Sequence, residues 1–506
     1  MRVQFLLKNT GMYERLGIMT LSSSLKKNGH EVKLTLTEEL TEEQIIKEVK
    51  LYKPGVLAYS TMTGEHIYHI DLNEMVRNHY DALSVFGGPH PTYSPEMIDK
   101  KYVDAICRGE GEIYFLELLK KLENNEDFYE TKNFWFKKKD GSIVKNPIGE
   151  LVSNLDDTPA PDRKLMYDAD KALRARGTKL FMATRGCPYQ CTYCFNHAYN
   201  ALTKGKGEMI RSRSVDSIIA EIKEVKENYF LDCVNIDDDI FLLKPKGWLK
   251  EFAEKYPKEI GLPFICCVRP ETVTEETGFL LQKIGCTHVA MGIECGDNET
   301  ARKVLKRNTT NERIIESAKI LKKNNVKLMT QNLIGLPIEN PVEVDYKTLD
   351  LNIKLKPYFA WGSILYPYPG TEIGTLAKRI GYFDGDFEKT SISNKTGTNL
   401  KYDKIKKRKI DNFHKLFSII VQFPILRPCT NFLISLPFQL LYTWMYFAFY
   451  GYKNLMQSSF KGILLTFGHY IKFYFKYVSR LEKKISFNKQ KKSNNNQNST
   501  LANLNN

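Results

Sequence analysis

Three cysteines lie close together in the segment RGCPYQCTYC, at Cys187, Cys191 and Cys194. Spacings of four and three residues let three thiols converge only where the backbone curls into a loop. A zinc site would need a fourth nearby ligand, for which His197 is the candidate. Three unligated thiols are a weaker alternative, because free cysteines rarely cluster in a loop of glycine and proline. A cubane iron–sulfur cluster held by three thiolates leaves one iron open, and an open iron can bind a substrate.

The composition indicates a folded protein in a reducing compartment. The chain has 506 residues, 42% of them hydrophobic, which is enough for two or three domains. Its ten cysteines are sparse, and its first residues, MRVQFLLKN, do not resemble a signal peptide. We therefore expect a cytoplasmic protein without structural disulfides.

The formal charge of +15 is concentrated after residue 400. A lysine-rich solvated surface and attraction to anionic lipid both remain open, because the basic runs flank apolar segments. Aromatic residues are not interleaved on a basic face, so we expect no nucleic-acid partner.

Two βα series divide the chain. Residues 1–150 alternate apolar runs with helical periodicity, which predicts a Rossmann-like, flavodoxin-like parallel sheet with a ligand at the carboxyl ends of its strands. A linker at 151–178, with the segment NLDDTPAPDRK, precedes a second series at 179–375. Its six strands, beginning with KLFMATRG, predict a partial (βα)6 TIM-type barrel. The fold class is therefore α/β, with a helical C-terminal extension.

The C-terminal extension separates into residues 376–482, expected to be helical, apolar and basic, and residues 483–506, expected to be a disordered tail. Residues 428–452 contain no charged side chain, although Pro437 interrupts them. A membrane span, an interfacial helical hairpin and a helical lid packed on the barrel are the three interpretations.

The cysteine loop resembles the CxxxCxΦC loop of the radical S-adenosylmethionine (SAM) superfamily, with Tyr193 as the aromatic residue. The resemblance implies a 4Fe–4S cluster whose open iron chelates SAM. NIDDDIF, VRPE, GIECG, NLIGLP and YPYPGT follow in the order of the later barrel strand ends. The SAM-contacting residues so implied are Tyr193, Asp237, Asp238, Arg269, Glu294 and Asn332. The three adjacent aspartates, Asp239 included, are equally typical of a loop or helix cap.

The N-terminal segments LKKNGHEVKL, KPGVLAYSTMT, VFGGPHPTYSPE and DAICRGEGE resemble the cobalamin-binding radical SAM family. The tRNA-modifying methylthiotransferases fit poorly, because residues 1–186 contain only Cys107. No Asp-x-His-x-x-Gly segment surrounds His66 or His69, so a base-off cobalamin without histidine ligation is implied. His90 is either a turn histidine satisfied by backbone groups or a cobalamin contact. The cobalamin-binding residues so implied are Ser60, Thr61, Gly87, Gly88, His90, Thr92, Gly109 and Glu110.

This resemblance implies an enzyme that cleaves SAM and methylates an unactivated carbon of a small-molecule or lipid-like substrate. Oxidative cyclisation or rearrangement, as in the anaerobic ring cyclase of chlorophyll synthesis, is the alternative, and a non-catalytic sensor is a weaker one. A one-electron reductant such as a ferredoxin or flavodoxin is an expected partner. The C-terminal region suggests peripheral contact with the inner face of the membrane.

Overall fold

We describe a computed structural model of the chain, which covers residues 1–389 and 397–455. The predicted tail at 483–506, and the part of the predicted helical region beyond residue 455, lie outside the described residues.

The first sheet has the strand order β2-β1-β3-β4-β5-β6-β7. Strands β1 to β5 are parallel, and β6 and β7 pair antiparallel at one edge. The direction in which successive strands are added changes between β1 and β3, so the predicted flavodoxin-like order is confirmed. The strands are β1 (Arg2–Leu7), β2 (Glu31–Leu36), β3 (Val56–Ser60), β4 (Leu83–Gly87), β5 (Ala105–Cys107), β6 (Phe134–Lys137) and β7 (Ile143–Lys145).

Five helices cover this sheet. Its central strands are therefore buried on both faces, as in β3, where residues 56–59 are all buried. The helices are α1 (Leu16–Lys27), α2 (Glu42–Tyr52), α3 (His66–Arg77), α4 (Pro89–Tyr93) and α5 (Tyr114–Glu123). In the sequence, the segment KKKDGS has the turn residues typical of a connection between domains. In the structure this segment is the turn of the β6–β7 hairpin, whose side chains in β6 alternate between buried and half-buried.

The second sheet has the strand order β8-β11-β12-β13-β14-β15, all parallel. Among the described strands β8 and β15 do not pair with each other, which agrees with the predicted partial barrel. A short antiparallel pair of strands, β9 and β10, stands apart. The strands are β8 (Thr178–Phe181), β9 (Thr184–Arg185), β10 (Arg211–Ser212), β11 (Cys233–Ile236), β12 (Phe264–Val268), β13 (Cys286–Glu294), β14 (Lys327–Ile334) and β15 (Phe359–Ile364).

Helices link the two sheets and surround the barrel. The linking helices are α6 (Arg163–Ala169) and α7 (Lys171–Ala175). The barrel helices are α8 (Phe195–Leu202), α9 (Val215–Asn228), α10 (Trp248–Glu259), α11 (Glu275–Ile284), α12 (Asn298–Lys303), α13 (Asn311–Lys323), α14 (Pro341–Leu355) and α15 (Glu372–Arg379). Short 3₁₀ turns occur at Pro95–Asp99, Leu155–Asp157, Pro270–Thr272, Phe387–Lys389 and Pro424–Leu426.

Three C-terminal helices pack against the open edge of the barrel. They are α16 (Lys404–Gln422), α17 (Thr430–Ser435) and α18 (Gln439–Leu455). The Ser418 hydroxyl of α16 donates to the Ala360 carbonyl of β15 at 2.5 Å. The chain is extended at Leu436, as expected before Pro437, so the uncharged segment forms two helices and not one. None of the helices in residues 1–389 and 397–455 combines the length and the apolarity needed to cross a bilayer.

Candidate functional site

A cavity of about 490 Å³ lies where the two sheets face each other. Both domains contribute to its walls. The N-terminal wall includes Ser60, Gly88, Thr92, Tyr93, Gly109, Glu110 and Glu112. The barrel wall includes Arg185, Gly186, Phe195, Asn196, Tyr199, Asp237 and Asp239. The cavity therefore lies at the carboxyl ends of both parallel sheets, where ligands of such folds bind.

The cysteine loop connects strand β9 to helix α8. Gly186, just before the first cysteine, has a φ of +96°, and a Cβ there would lie 1.9 Å from the Met209 carbonyl oxygen. Only glycine fits this close approach of two backbones. At the other end Cys194 is the N-cap residue of α8. In the middle of the loop, the Thr192 hydroxyl donates to the Val304 carbonyl at 2.7 Å.

The cysteines lie in a recessed and partly positive environment. Cys187 and Cys191 are buried and Cys194 is half-buried. The Arg269 guanidinium lies 3.2 Å from the Cys191 sulfur and stacks on the Tyr189 ring at 3.7 Å. A guanidinium at this distance stabilises a thiolate, which is the form that binds iron.

Three cysteines can hold a cluster by themselves, whereas a single zinc ion would need a fourth ligand. Within the described ranges, no three His, Cys, Asp or Glu side chains converge closely enough to hold one metal ion. In a cubane each of the three thiolates binds a different iron atom. His197, the candidate fourth zinc ligand, has its Nδ1 atom 3.6 Å from a Glu372 carboxylate oxygen. Burial raises the pKa of the Cys194 thiol to about 11, so cluster binding must release its proton.

Arg307 interacts with Tyr193 through a hydrogen bond and with Glu294 through its charge. Arg307 donates to the Tyr193 hydroxyl at 3.1 Å and to the Gly292 carbonyl at 2.5 Å. Glu294 ends strand β13 in a left-handed conformation, with a φ of +66°, next to a register shift. Burial raises the pKa of Glu294, and the Arg307 charge opposes this rise. Sequence analysis did not identify Arg307, since its segment, VLKRNT, has no distinctive pattern.

The three adjacent aspartates alternate between two environments. Asp237 and Asp239 line the cavity, and their recessed position raises the pKa of each carboxyl. Asp238 is 2% exposed and accepts hydrogen bonds from the Ala183 and Thr184 amides at 2.7 and 2.8 Å. It also pairs with the buried Lys244. The structure therefore gives Asp238 a structural position, in contrast to the SAM contact expected from the sequence.

Asn332 lies outside the site as well. Its amide donates to the Trp361 carbonyl at 2.9 Å, and its oxygen accepts from Asn352 of α14 at 2.8 Å. The side chain is 1% exposed and faces the helix layer. The expected cofactor contact at Asn332 is therefore not supported, because strand alternation turns this residue away from the barrel interior.

The N-terminal wall is built from close backbone contacts. Gly88 has a φ of +97°, and a Cβ there would lie 2.9 Å from both the N and O atoms of Thr61. The Thr92 hydroxyl donates to the Gly88 carbonyl at 2.8 Å and accepts from the Gly109 amide at 3.2 Å. Ser60, Gly88, Thr92 and Gly109 thus meet at the cavity, whereas Thr61 and Gly87 do not line it.

The histidines of this region face one another. His90 bonds to the Thr63 hydroxyl at 3.0 Å and stacks on His66 with ring centroids 3.9 Å apart. His69 bonds to the Thr61 hydroxyl at 3.1 Å. Burial lowers the pKa of His69 and of His90 to about 3, so both rings are neutral at physiological pH. Of the two interpretations of His90, its contacts favour a structural turn histidine, although with a side-chain partner.

Glu110 joins the two domains. Its carboxylate accepts from Arg185 at 3.1 Å, from Arg211 at 2.8 and 2.9 Å, and from the Val152 amide at 2.9 Å. Burial alone would raise the pKa of Glu110, but the bonds from Arg211 and the charges of Arg185 and Arg211 hold it below its usual value. The expected cofactor contact therefore competes with three protein partners.

A buried hydroxyl on the barrel wall has no partner within the described parts of the chain. Tyr199 of α8 places this hydroxyl 3.6 Å from the position of a Cβ built on Gly109, next to the cavity. A buried polar atom of this kind is usually satisfied by a ligand or by water. Sequence analysis did not identify Tyr199, although it lies only five residues after Cys194.

Two protein families match the chain in the order of its two sheets. The B12 binding domain matches residues 6–119, and the radical SAM superfamily matches residues 181–346. The chain belongs to the radical SAM enzymes that carry a B12-binding domain. Its cofactors are a 4Fe–4S cluster, SAM and cobalamin, as the sequence predicted.

Individual relatives of this radical SAM enzyme agree with the assignment. An uncharacterized methyltransferase of Pyrococcus horikoshii is 28% identical over 369 residues, covering 72% of this chain and 78% of that protein. The anaerobic magnesium-protoporphyrin IX monomethyl ester cyclase of Rubrivivax gelatinosus is 22% identical over 368 residues, covering 70% of this chain and 64% of that enzyme. The radical SAM methyltransferase TsrM from Kitasatospora setae, solved with cobalamin and a 4Fe–4S cluster, has a TM-score of 0.62 at 18% identity, covering 75% of each chain. The relatives thus include both methyltransferases and a cyclase.

Proposed function

We propose that this radical SAM enzyme transfers a methyl group to an unactivated carbon of a small, lipid-like substrate bound between its two domains. The observation that carries the proposal is the shared cavity, whose walls come from the cysteine loop region and from the B12-binding sheet. When bound, the cluster supplies the electron that cleaves SAM to methionine and a 5'-deoxyadenosyl radical, and cobalamin supplies the methyl group.

The residues of the chain would bind, orient and shield these groups. Asp237 and Asp239 offer carboxylates in the cavity that suit the ammonium group of SAM. Arg269 offsets the charge of the thiolates. Tyr93 stacks on Phe195 at 5.0 Å, and this aromatic pair closes one side of the cavity against water, which protects a radical from quenching.

The first test uses SAM cleavage in the reconstituted holoenzyme. After anaerobic reconstitution with iron, sulfide and cobalamin, the wild type is expected to form 5'-deoxyadenosine from SAM and dithionite. A variant with Cys187, Cys191 and Cys194 all changed to Ala should form none. Cys429→Ala is the matched control, because Cys429 is an exposed cysteine of the C-terminal helices. Absence of cleavage despite a loaded cluster would overturn the radical mechanism.

The second test identifies the transferred group. The holoenzyme is incubated with a cellular lipid extract and SAM that carries a CD3 methyl group. Transfer of the CD3 label into an extractable lipid, detected by mass spectrometry, is the expected result. The similarity to a cyclase favours ring formation as the second candidate. A product that loses hydrogen and carries no label would establish cyclisation in place of methylation.

The lipid-like substrate and a peripheral position at the inner face of the membrane are parts of the same proposal. The C-terminal helices present exposed apolar side chains: Phe423, Ile425, Phe432, Phe438, Leu440 and Leu441. Lys409 lies 3.3 Å from Asn431, and Lys415 lies 3.4 Å from the Gln439 carbonyl, so positive charges flank this surface. Such a surface suits an anionic bilayer. The donor would be a ferredoxin or flavodoxin from the cytoplasm.

Vesicle flotation tests the membrane contact. The full chain is expected to float with vesicles that contain phosphatidylglycerol and to float less with neutral vesicles. Phe432→Asp should reduce flotation several-fold. Leu51→Asp is the matched control, because Leu51 on α2 has the same 67% exposure as Phe432. Equal recovery of both variants with the vesicles would contradict the proposed surface.

A further inference from the structure

Four charged side chains meet where the two domains touch. Glu110 and Glu112 follow strand β5 of the B12-binding sheet, and Arg185 and Arg211 are opposite each other in the β9–β10 strand pair. Arg185 forks between the two carboxylates, at 3.1 Å from Glu110 and 2.7 Å from Glu112. Arg211 makes two bonds to Glu110. We name these four residues the interdomain ion cluster.

The interdomain ion cluster is recessed and electrically balanced. The side chains of Arg211, Glu110 and Glu112 are 3%, 12% and 12% exposed. If the domains moved apart, two arginines and two carboxylates would lose their partners at a partly dry surface, which is unfavourable. These ion pairs therefore favour one distance between the two domains.

The interdomain ion cluster also lies close to both halves of the chemistry. Arg185 precedes Gly186 and Cys187 directly, so it shares the backbone of the cysteine loop. Glu110 is adjacent to Gly109, whose amide bonds to the Thr92 hydroxyl of the N-terminal wall. All four charged residues line the cavity. A shift of the β9–β10 strand pair relative to β5 would thus move the cysteine loop relative to the B12-binding wall.

We propose that the interdomain ion cluster is a positioning device that sets the distance between the iron–sulfur cluster and cobalamin, and with it how SAM is divided between two reactions. SAM that gives its methyl group to cobalamin leaves as S-adenosylhomocysteine. SAM that accepts an electron from the iron–sulfur cluster is cleaved to methionine and a 5'-deoxyadenosyl radical, which leaves as 5'-deoxyadenosine after it takes a hydrogen atom from the substrate or, when no substrate is present, from a buffer component. Only the first reaction requires SAM and cobalamin to meet at bonding distance. The inference rests on the proposed function in that it requires both cofactors.

The test measures the two products without any substrate. Glu112→Gln removes one charge and one bond to Arg185, and Glu110→Gln removes the carboxylate that three partners share. In both reconstituted variants, the ratio of S-adenosylhomocysteine to 5'-deoxyadenosine should fall, by about tenfold in Glu110→Gln, because small misplacements of reacting groups are costly. Glu299→Gln is the control, because Glu299 pairs with Lys303 on the exposed face of α12.

A spectroscopic measurement separates positioning from a general loss of stability. Pulsed electron paramagnetic resonance of the holoenzyme gives the distance between the reduced iron–sulfur cluster and cob(II)alamin. This distance should broaden or lengthen in both variants, while the iron and cobalamin contents equal those of the wild type. Glu110→Asp should restore part of the product ratio. An unchanged ratio and an unchanged distance in folded Glu112→Gln would overturn the inference, whereas a wild type that forms no 5'-deoxyadenosine would overturn the proposed function instead.

Discussion

The two walls of the cavity are constructed differently. Asp237 and Asp239 on the barrel wall line the cavity, and Arg269 lies beside the cysteine loop. The N-terminal wall contributes the uncharged Ser60, Gly88, Thr92 and Gly109, supported by neutral histidines. Only the interdomain ion cluster brings charge to both sides.

This difference follows from the ligands that each wall must accept. Thiolates and the amino acid part of SAM are charged and need compensating groups at fixed positions. Cobalamin is large and flat, and a wall that approaches it closely needs small residues more than charge. Substitutions in one wall should therefore affect one cofactor and spare the other.

The largest expected effects come from one glycine in each wall. Gly186→Ala places a methyl group against the Met209 carbonyl, so we expect loss of the iron–sulfur cluster with cobalamin retained. Gly88→Ala places one against Thr61, so we expect loss of cobalamin with the iron–sulfur cluster retained. Iron analysis and the cobalamin absorption spectrum after gel filtration measure both. Gly205→Ala is the control for the left-handed conformation alone, because Gly205 has a φ of +77° and open space around it. Loss of both cofactors in both variants would contradict the separation of the walls.

The next largest effect concerns the adjacent aspartates of the barrel wall. Asp238→Asn leaves the Lys244 ammonium buried without a charge partner, so we expect a loss of about 3 kcal/mol in the free energy of unfolding. Asp239→Asn keeps its neighbour Asn196 and should cost less than about 1 kcal/mol, while weakening SAM binding. Urea unfolding and SAM titration measure the two quantities. Equal destabilisation by both substitutions would argue against the structural position of Asp238.

The contrast between these aspartates shows what could be predicted from the sequence. The order of strands, the partial barrel and the cysteine loop all follow from periodicity and motif. The orientation of Asp238 and of Asn332 could not be predicted, because a motif match does not fix which face of a strand end a side chain occupies. The structure resolves this through partners that are distant in sequence, Lys244 and Asn352.

The contacts between the two domains could not be predicted from the sequence either. Glu110 belongs to a segment that resembles a cofactor-binding one, and nothing local indicates its pairing with Arg211, 101 residues later. Arg185 belongs to the cysteine segment, but nothing in the sequence indicates which group its charge pairs with. Long-range ion pairs of this kind depend on how two domains dock, which apolar periodicity does not encode.

Acid should destabilise the N-terminal wall before the interdomain ion cluster. The pKa of His69 and of His90 is lowered to about 3, so between pH 6.5 and that value the unfolded chain binds protons that the folded chain does not. At pH 5.5 each histidine should cost about 1.3 kcal/mol of stability relative to pH 7. Glu110 has a lowered pKa, so its contribution is fully present above about pH 4.5 and is lost only as the pH falls through its folded value. The fall in thermal unfolding temperature between pH 7 and pH 5.5 should therefore be smaller in His69→Gln and in His90→Gln than in the wild type. Glu110→Gln should show the same fall as the wild type. A pH profile unchanged by the histidine substitutions would contradict their neutral, buried state.

The smallest expected effect separates support of the N-terminal wall from direct contact with cobalamin. The residues that line the cavity include Gly88, Pro89 and Thr92, whereas His90 bonds to Thr63 and stacks on His66. In His90→Gln the amide can keep the bond to Thr63, so we expect cobalamin affinity at pH 7.5 to change by less than about threefold, which is under 0.7 kcal/mol. The paramagnetic resonance spectrum of bound cob(II)alamin should keep the same nitrogen couplings as the wild type. A lost nitrogen coupling would instead place His90 on the cobalt, and the N-terminal wall would then hold its cofactor through a ligand bond as the barrel wall does.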